Sequence, residues 1–128
     1  MKKLSLVICV WNEEQNIKPL SVQITEALNG FDFEAIFVDD GSTDNTREEI
    51  IKINNERFIL VELKRNYGQS SALQAGIDQA EGEFVVLLDG DLQNDPADIP
   101  MMLKMMEKEE WDMVAGIRAN RKDGMFLR

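Results

Sequence analysis

Acidic and amide side chains recur in this chain directly after short apolar segments. The most distinctive group is Asp89-Gly90-Asp91, which follows the apolar run Phe84 to Leu88. Two carboxylates that flank a glycine can turn toward one hard cation and leave coordination positions for water and phosphate oxygens. The pattern predicts a Mg²⁺ or Mn²⁺ site at Asp89 and Asp91. The alternative is that the triplet merely ends a strand, since such turns are common.

A second acidic turn, Asp39 to Asp44 (DDGSTD), follows the apolar run Phe33 to Val38. Of the two adjacent aspartates, one is expected to face a ligand while its neighbour binds the amides of the turn. Asp40 is the preferred ligand-facing residue. Ser42 and Asp44 are assigned mainly to capping the helix that follows, because their side chains can accept hydrogen bonds from its first N–H groups.

Three further groups lie beside predicted strand ends. Trp11 can stack on a base or cover the core, and its type does not decide between them. Glu13 and Glu14 are expected to begin a helix, whose dipole stabilises negative charge there. Arg118 and Arg121 lie three residues apart and can bind phosphate through their forked donors, although a solvated basic tail explains them equally well.

The elements that must position these residues alternate along the chain between apolar runs and segments of helical spacing. Predicted strands cover Leu4 to Val10, Phe33 to Val38, Phe58 to Leu63, Phe84 to Leu88 and Trp111 to Gly116. Predicted helices lie between Ile17 and Leu28, and from about Asp44 to Asn55, Ser70 to Ala80 and Ala97 to Glu109. This alternation predicts an α/β fold with a mostly parallel sheet covered on both faces. Ligands of such sheets bind beyond the carboxyl ends of the strands, so the polar turns should meet at one rim.

Composition removes several classes of function. The 128 residues suit one domain, and no histidine is present, which excludes Ser-His-Asp and Cys-His nucleophilic sites and His-ligated zinc. The net charge of −10 argues against a sequence-independent grip on nucleic acid. The single cysteine, Cys9, cannot form an intrachain disulfide and fits a reducing compartment. The longest strictly apolar run is far shorter than the roughly 20 residues that span a bilayer.

The acidity is local. Eight of the 24 acidic residues fall in the turns assigned to the rim: Glu13, Glu14, Asp39, Asp40, Asp44, Asp89, Asp91 and Asp95. A rim this negative should repel a diphosphate unless a divalent cation lies between them. The sequence therefore predicts that binding of such a ligand depends on metal.

Four motifs in this order resemble inverting family 2 glycosyltransferases of the GT-A fold. They are VICVWNEEQNI (Val7 to Ile17), FVDDGSTDNT (Phe37 to Thr46), RNYGQSSALQAGI (Arg65 to Ile77) and LLDGDLQNDP (Leu87 to Pro96). The resemblance covers essentially the whole chain and is nearest to the dolichol-phosphate mannose synthase and bactoprenol glucosyltransferase branch. It implies transfer of a hexose from a UDP- or GDP-sugar to a polyprenyl phosphate, by a metal-assisted inverting displacement. A sugar-hydroxyl acceptor, or donor binding without transfer, are the alternatives.

The resemblance also implies a set of site residues. Asp89 and Asp91 would be the catalytic, metal-holding pair. Trp11 stands where the family usually has Tyr, and Cys9 where Pro is usual. The implied nucleotide-sugar contacts are Cys9, Trp11, Glu13, Val38, Asp40, Asp89, Gln93, Arg118 and Arg121.

Family chains continue into an acceptor-side segment and often into membrane helices. The chain is therefore expected to be the N-terminal, cytoplasmic part of a membrane-associated protein, and an unfinished sheet edge would allow a homodimer. Phosphoacceptor receiver domains and haloacid-type phosphatases share clustered aspartates but place them after other strands. A nucleotidyltransferase would usually show a Gly-rich basic loop near the N-terminus, which the segment Trp11 to Glu14 is not.

Overall fold

One sheet with helices on both faces is seen in the computed structural model, which describes residues 4–91, 95–109, 114–115 and 126–127. The strands are β1 (Leu4–Val10), β2 (Phe33–Asp39), β3 (Phe58–Glu62), β4 (Phe84–Asp89), β5 (Val114–Ala115) and β6 (Phe126–Leu127). The helices are α1 (Ile17–Ala27), α2 (Thr46–Lys52), α3 (Gln69–Gln79) and α4 (Ile99–Glu109), the last preceded by a 3₁₀ turn at Pro96–Asp98. The predicted α/β class is confirmed.

The strand order is β3-β2-β1-β4-β5-β6. Every neighbouring pair is parallel except β5 with β6. The chain runs outward from β1 through β2 to β3 and then returns to β4 on the other side of β1. Ligands of open parallel sheets bind at such a reversal, outside the carboxyl ends of the strands.

Alternating residues of the strands build two separate cores, because successive side chains point to opposite faces. Leu6 and Ile8 of β1 pack with Phe37 of β2 on the face covered by α1, α2 and α4. Val7 of β1 and Val38 of β2 pack on the face covered by α3. The predicted burial of both faces is confirmed, and the same alternation decides which way each polar residue at the strand ends points.

Gly76 allows α3 to lie close against the sheet. A Cβ atom at this position would come within 2.4 Å of Val7 Cγ1 and 2.9 Å of Val38 Cγ2. Real Cβ atoms do not approach other atoms so closely, so a larger residue here requires the helix or the valines to move. Because glycine has no side chain, α3 can pack at this short distance from the strands.

Helix α2 is shorter than the spacing predicts, beginning at Thr46 rather than Asp44 and ending at Lys52 rather than near Asn55. Asn54 has φ of +51°, a left-handed conformation that asparagine tolerates better than most residues. The chain therefore leaves the helix before the apolar spacing ends. Of the last predicted strand, only Val114–Ala115 falls within the described residues as β5. Among those residues, no helix combines the length and apolar character needed to cross a membrane.

Candidate functional site

A cleft of about 300 Å³ opens beyond the carboxyl ends of β1, β2 and β4, where the strand order reverses. Its lining residues come from the last residues of β1 and β4, from the loops after these three strands and from the start of α3. They are Cys9, Val10, Trp11, Glu13, Asp40, Gln69, Asp89, Gly90 and Asp91. The turns after β1, β2 and β4 thus meet at one rim, as the sequence predicts.

Asp39 and Asp40 point to opposite faces of the sheet. Asp39 is fully buried and lies on the α2 side, where it forms an ion pair with Arg47 and accepts a 3.3 Å hydrogen bond from the backbone N–H of Ser42. Asp40 lies on the α3 side and lines the cleft. The expected division of roles between a turn-binding and a cleft-facing aspartate is therefore present.

The Asp40 carboxylate also holds the loop that leads from β3 to α3. It accepts hydrogen bonds from the backbone N–H groups of Tyr67, at 2.8 Å, and Gly68, at 3.1 Å. Gly41 makes this close approach possible, since a Cβ there would lie 2.4 Å from the carbonyl carbon of Arg65. Asp40 thus holds the two residues that come directly before Gln69, the first residue of α3.

Gln69 lines the cleft as well, and it is not among the site residues that the sequence predicts. Its side-chain amide donates a 3.4 Å hydrogen bond to Asp89 Oδ1. The residue follows Gly68, which has φ of +100°, at the first position of α3. Its position in the polar turn after the third strand could have predicted this, because the turns after the other strands also lie at the rim.

The assignment of Ser42 to helix capping is wrong, and that of Asp44 is incomplete. Ser42 Oγ accepts a 2.9 Å hydrogen bond from the backbone N–H of Asn12, in the loop after β1. Asp44 accepts one of 2.9 Å from the backbone N–H of Thr46, the first residue of α2, and one of 3.4 Å from that of Glu14. Both side chains bond to the loop after β1, because the N–H groups of that loop lie within hydrogen-bonding distance of their oxygen atoms.

Glu13 and Glu14 do not begin a helix, because α1 starts only at Ile17. Glu13 instead lines the cleft, and its Oε1 accepts a 2.8 Å hydrogen bond from the Asn16 side chain. Burial raises the pKa of Glu13; the Asn16 hydrogen bond opposes this, and the charges of Asp91 and Asp44 add to it. The glutamate is therefore held in an electrostatically negative cleft.

The thiol of Cys9 reports the same negative potential. Burial first, and then the charges of Asp40 and Asp89, raise the pKa of Cys9 to about 12. Cys9 pairs with Asp89 in the β1–β4 register. The thiol is therefore neutral at physiological pH.

The donor set of the cleft fits a hard divalent cation. Asp89 and Asp91 supply carboxylate oxygens, while Asp40 and Glu13 line the same cleft. Within the described residues, no three His, Cys, Asp or Glu side chains are grouped to hold an ion by themselves. Mg²⁺ characteristically binds through one or two carboxylates together with substrate phosphates, so two aspartates in an acidic cleft match its needs.

The remaining predicted site residues divide into three groups. Trp11 is 51% exposed at the cleft and does not cover the core. Val38 is fully buried against Val7 and Ala72 beneath the cleft, so the structure does not bring it to the lining. Outside the described residues lie Gln93, Arg118 and Arg121.

Comparison with known proteins agrees with this geometry. Residues 5–128 match the model of glycosyl transferase family 2. The chain is 49% identical to dodecaprenyl-phosphate galacturonate synthase of Rhizobium johnstonii, an alignment that covers 98% of this chain and 39% of that protein. It is 42% identical to undecaprenyl-phosphate 4-deoxy-4-formamido-L-arabinose transferase of Yersinia enterocolitica, over 100% of this chain and 40% of that one. The chain thus spans about two fifths of the length of these relatives.

Solved structures share the fold. S. aureus TarS 1-349 in complex with UDP-GlcNAc superposes with a TM-score of 0.74 at 27% identity, over 93% of this chain and 36% of that one. The mannosyltransferase PcManGT from Pyrobaculum calidifontis, solved with GDP-Man and Mn²⁺, gives a TM-score of 0.73 at 23% identity, over 82% and 32% of the two chains. Both likenesses support the GT-A architecture.

Proposed function

The chain belongs to glycosyl transferase family 2, and on that premise we propose that it forms the donor-binding part of an enzyme that transfers a sugar from a nucleotide diphosphate to a polyprenyl phosphate. The observation that carries the proposal is the acidic cleft at the carboxyl ends of β1, β2 and β4. The names of the two relatives described above, each more than 40% identical, support the polyprenyl phosphate acceptor. The complex of TarS with UDP-GlcNAc supports a nucleotide sugar as donor.

Each side of the cleft has a proposed role. Trp11 and Glu13, after β1, contact the base and ribose, since an exposed indole offers a stacking surface and a carboxylate accepts from ribose hydroxyls. Asp40 forms the base-side wall while its carboxylate holds the loop after β3. Asp89 and Asp91 face the diphosphate. The predicted contacts by Gln93, Arg118 and Arg121 stay part of the proposal.

We propose Mg²⁺ or Mn²⁺ as the cofactor, held by Asp89 and Asp91. When bound, the ion would neutralise the negative charge that builds on the leaving nucleotide diphosphate. Gln69 donates to Asp89 and so orients one carboxylate of the pair. The carboxylates alone would repel a diphosphate, because none of the described residues that line the cleft carries a positive charge.

The chemistry requires no strong general base. The oxygen of a polyprenyl phosphate is already anionic, so it can attack the anomeric carbon directly as the bond to the nucleotide diphosphate breaks. A chain without histidine suits such a reaction. The contribution of the protein is then alignment of the donor and stabilisation of developing charge, with inversion at the anomeric carbon.

The proposed acceptor indicates where this part of the enzyme works, and the edge of the sheet indicates how it could assemble. A polyprenyl phosphate resides in a membrane, so this part of the enzyme would work at a membrane surface, and we propose the cytoplasmic side, where the single cysteine stays reduced. Strand β3 ends the sheet order on one side. Pairing of that edge with a second copy stays a prediction.

Isothermal titration calorimetry of the 128-residue chain with UDP and GDP, with and without Mn²⁺, tests the proposal. We expect one nucleotide to bind, and Mn²⁺ to strengthen its binding. Asp91→Asn should abolish the metal effect, whereas Asp78→Asn, an exposed aspartate on α3, should leave it intact. If neither nucleotide binds under any of these conditions, the donor-site proposal fails.

A further inference from the structure

The loops after β1 and β2 are joined by a row of hydrogen bonds between the backbone of one loop and the side chains of the other. Ser42 Oγ accepts from the N–H of Asn12 at 2.9 Å, and Thr46 Oγ1 accepts from the N–H of Glu13 at 2.9 Å. In the reverse direction, the N–H of Thr43 donates to Asn12 Oδ1 at 2.8 Å. The loop that carries Trp11 and Glu13 is therefore shaped by side chains 30 or more positions away in sequence.

Asn12 shows how strongly this loop is constrained. Its φ of +53° is left-handed, a conformation that few non-glycine residues adopt. Such a conformation persists only when surrounding contacts hold it. Asn12 makes two of these contacts, one through its N–H and one through its side chain.

Thr46 is the most enclosed member of the row. The residue is fully buried, and its hydroxyl uses both of its bonding capacities in fixed directions. It donates to Asp44 Oδ1 and accepts from the N–H of Glu13. Asp44 in turn accepts from the N–H of Glu14. A single hydroxyl therefore connects the first turn of α2 to the backbone of a residue in the cleft.

We infer that Thr46 is a positioning residue for donor binding: its hydroxyl fixes the backbone of Glu13, and so the placement of the Glu13 carboxylate in the cleft. This inference rests on the proposed function, because Glu13 must contact the donor for its placement to matter. Thr46 does not line the cleft and touches no ligand there. It acts only through Glu13.

The test uses two substitutions at position 46. Thr46→Val keeps the shape of the side chain but removes the hydroxyl, so the N–H of Glu13 loses its acceptor. We expect the affinity for the nucleotide that the parent chain binds to fall about tenfold, the change given by losing one hydrogen bond of about 1.4 kcal/mol. Thr46→Ser retains the hydroxyl and should keep most of the affinity. Hydrogen exchange of the Glu13 amide should accelerate in the valine variant and stay slow in the serine variant.

Ser5→Ala is the matched control. Ser5 is also fully buried, and its hydroxyl likewise donates to a carboxylate, Glu34 at 2.6 Å, and accepts from a backbone N–H, that of Gly82 at 2.8 Å. It lies near the opposite end of β1, away from the cleft. Ser5→Ala should therefore lower the stability of the fold without changing nucleotide affinity.

The outcomes distinguish a failure of the proposed function from a failure of the role inferred for Thr46. If the parent chain binds neither UDP nor GDP, the proposed function fails, while exchange at Glu13 still shows whether Thr46 fixes that backbone. If the parent binds and Thr46→Val binds equally well, the inference is overturned. Equal losses of affinity in Thr46→Val and Ser5→Ala would also overturn it, because the effect would then reflect general loss of stability.

Discussion

The carboxylate of Asp40, at the end of β2, accepts a 2.8 Å hydrogen bond from the backbone N–H of Tyr67, 27 positions further along the chain. The same carboxylate accepts from the N–H of Gly68. Because Asp40 also lines the cleft, one side chain both shapes the site and sets the start of α3. Cleft geometry and fold stability are therefore coupled at this residue.

Asp40→Asn should destabilise the fold. An amide offers one acceptor oxygen in place of two, so one of the two N–H groups loses its bond to this side chain in a site that is only 7% exposed, although the N–H of Gly68 keeps its 3.1 Å bond to Asn66 Oδ1. We expect a loss of about 1 to 3 kcal/mol in the free energy of unfolding, measured by urea titration. Asp32→Asn, at an exposed position, is the control. Equal unfolding midpoints for the two variants would contradict this account of Asp40.

Arg47→Met should leave the buried carboxylate of Asp39 without its ionic partner. The ion pair joins α2 to β2, and the guanidinium also donates a 3.1 Å hydrogen bond to the carbonyl of Leu63. Arg47 is one-third exposed, so solvent screens part of the loss, and we expect roughly 2 kcal/mol rather than the larger cost of a fully buried pair. Thermal and urea unfolding measure it.

Lys52→Met is the control for Arg47→Met, since Lys52 pairs with Glu49 on the same helix but is 72% exposed. Exposed pairs contribute little to stability. We expect this variant to unfold at nearly the parental midpoint. If Lys52→Met lost as much stability as Arg47→Met, the loss of a positive charge from α2 would explain both results, and the Asp39 carboxylate would not be needed to explain them.

Gly76→Ala should destabilise the packing of α3, although alanine favours a helix. Its Cβ would meet Val7 Cγ1 at 2.4 Å, and overpacking of this kind costs roughly 1 to 3 kcal/mol. Val7→Ala removes the methyl group that is struck. In a double-mutant cycle, the pair should cost less than the sum of the single variants. Strict additivity in urea unfolding would show that the clash is relieved elsewhere.

Cys9 should react with iodoacetamide only at high pH. Its pKa is raised from the usual value of 9.0 to about 12, so between these values the thiol is ionised in the unfolded chain but protonated in the folded one. The folded state therefore holds the extra proton, and the stability that this contributes is present below pH 9 and lost as pH rises toward 12. Alkylation is followed by mass spectrometry in metal-free buffer, from pH 7.5 to 10.5.

The pH profile, rather than the rate alone, distinguishes this effect from simple shielding of Cys9. For the chain unfolded in urea, the alkylation rate should be half-maximal near pH 9 and level off above about pH 10, while for the folded chain it should still be rising at pH 10.5. Asp89→Asn removes one of the charges that raise the pKa and should move the folded profile to lower pH. Superimposable profiles for the folded and unfolded chains would refute the assignment.

The class of fold and the location of the site could both be predicted from the amino-acid pattern. Apolar runs such as Leu4 to Val10, alternating with helical segments, allow few arrangements other than a parallel sheet, and a parallel sheet gathers its strand ends at one edge. The acidic turns after β1, β2 and β4 could therefore be assigned to one rim before any contact was known. The motifs also led to the family, because their order and spacing are specific.

The partner of each side chain at that rim could not be predicted in this way, because it depends on contacts formed in the folded chain. Both faces of a parallel sheet are apolar, so the pattern could not show that Asp39 turns toward Arg47 and Asp40 toward the loop before α3. Helix-capping preferences predicted that Ser42 caps the helix that follows it. Its hydroxyl instead accepts a hydrogen bond from the N–H of Asn12 in another loop. Hydrogen bonds between residues distant in sequence depend on which loops the sheet brings close together in space. The distance between two loops is a property of the folded chain and not of the local sequence.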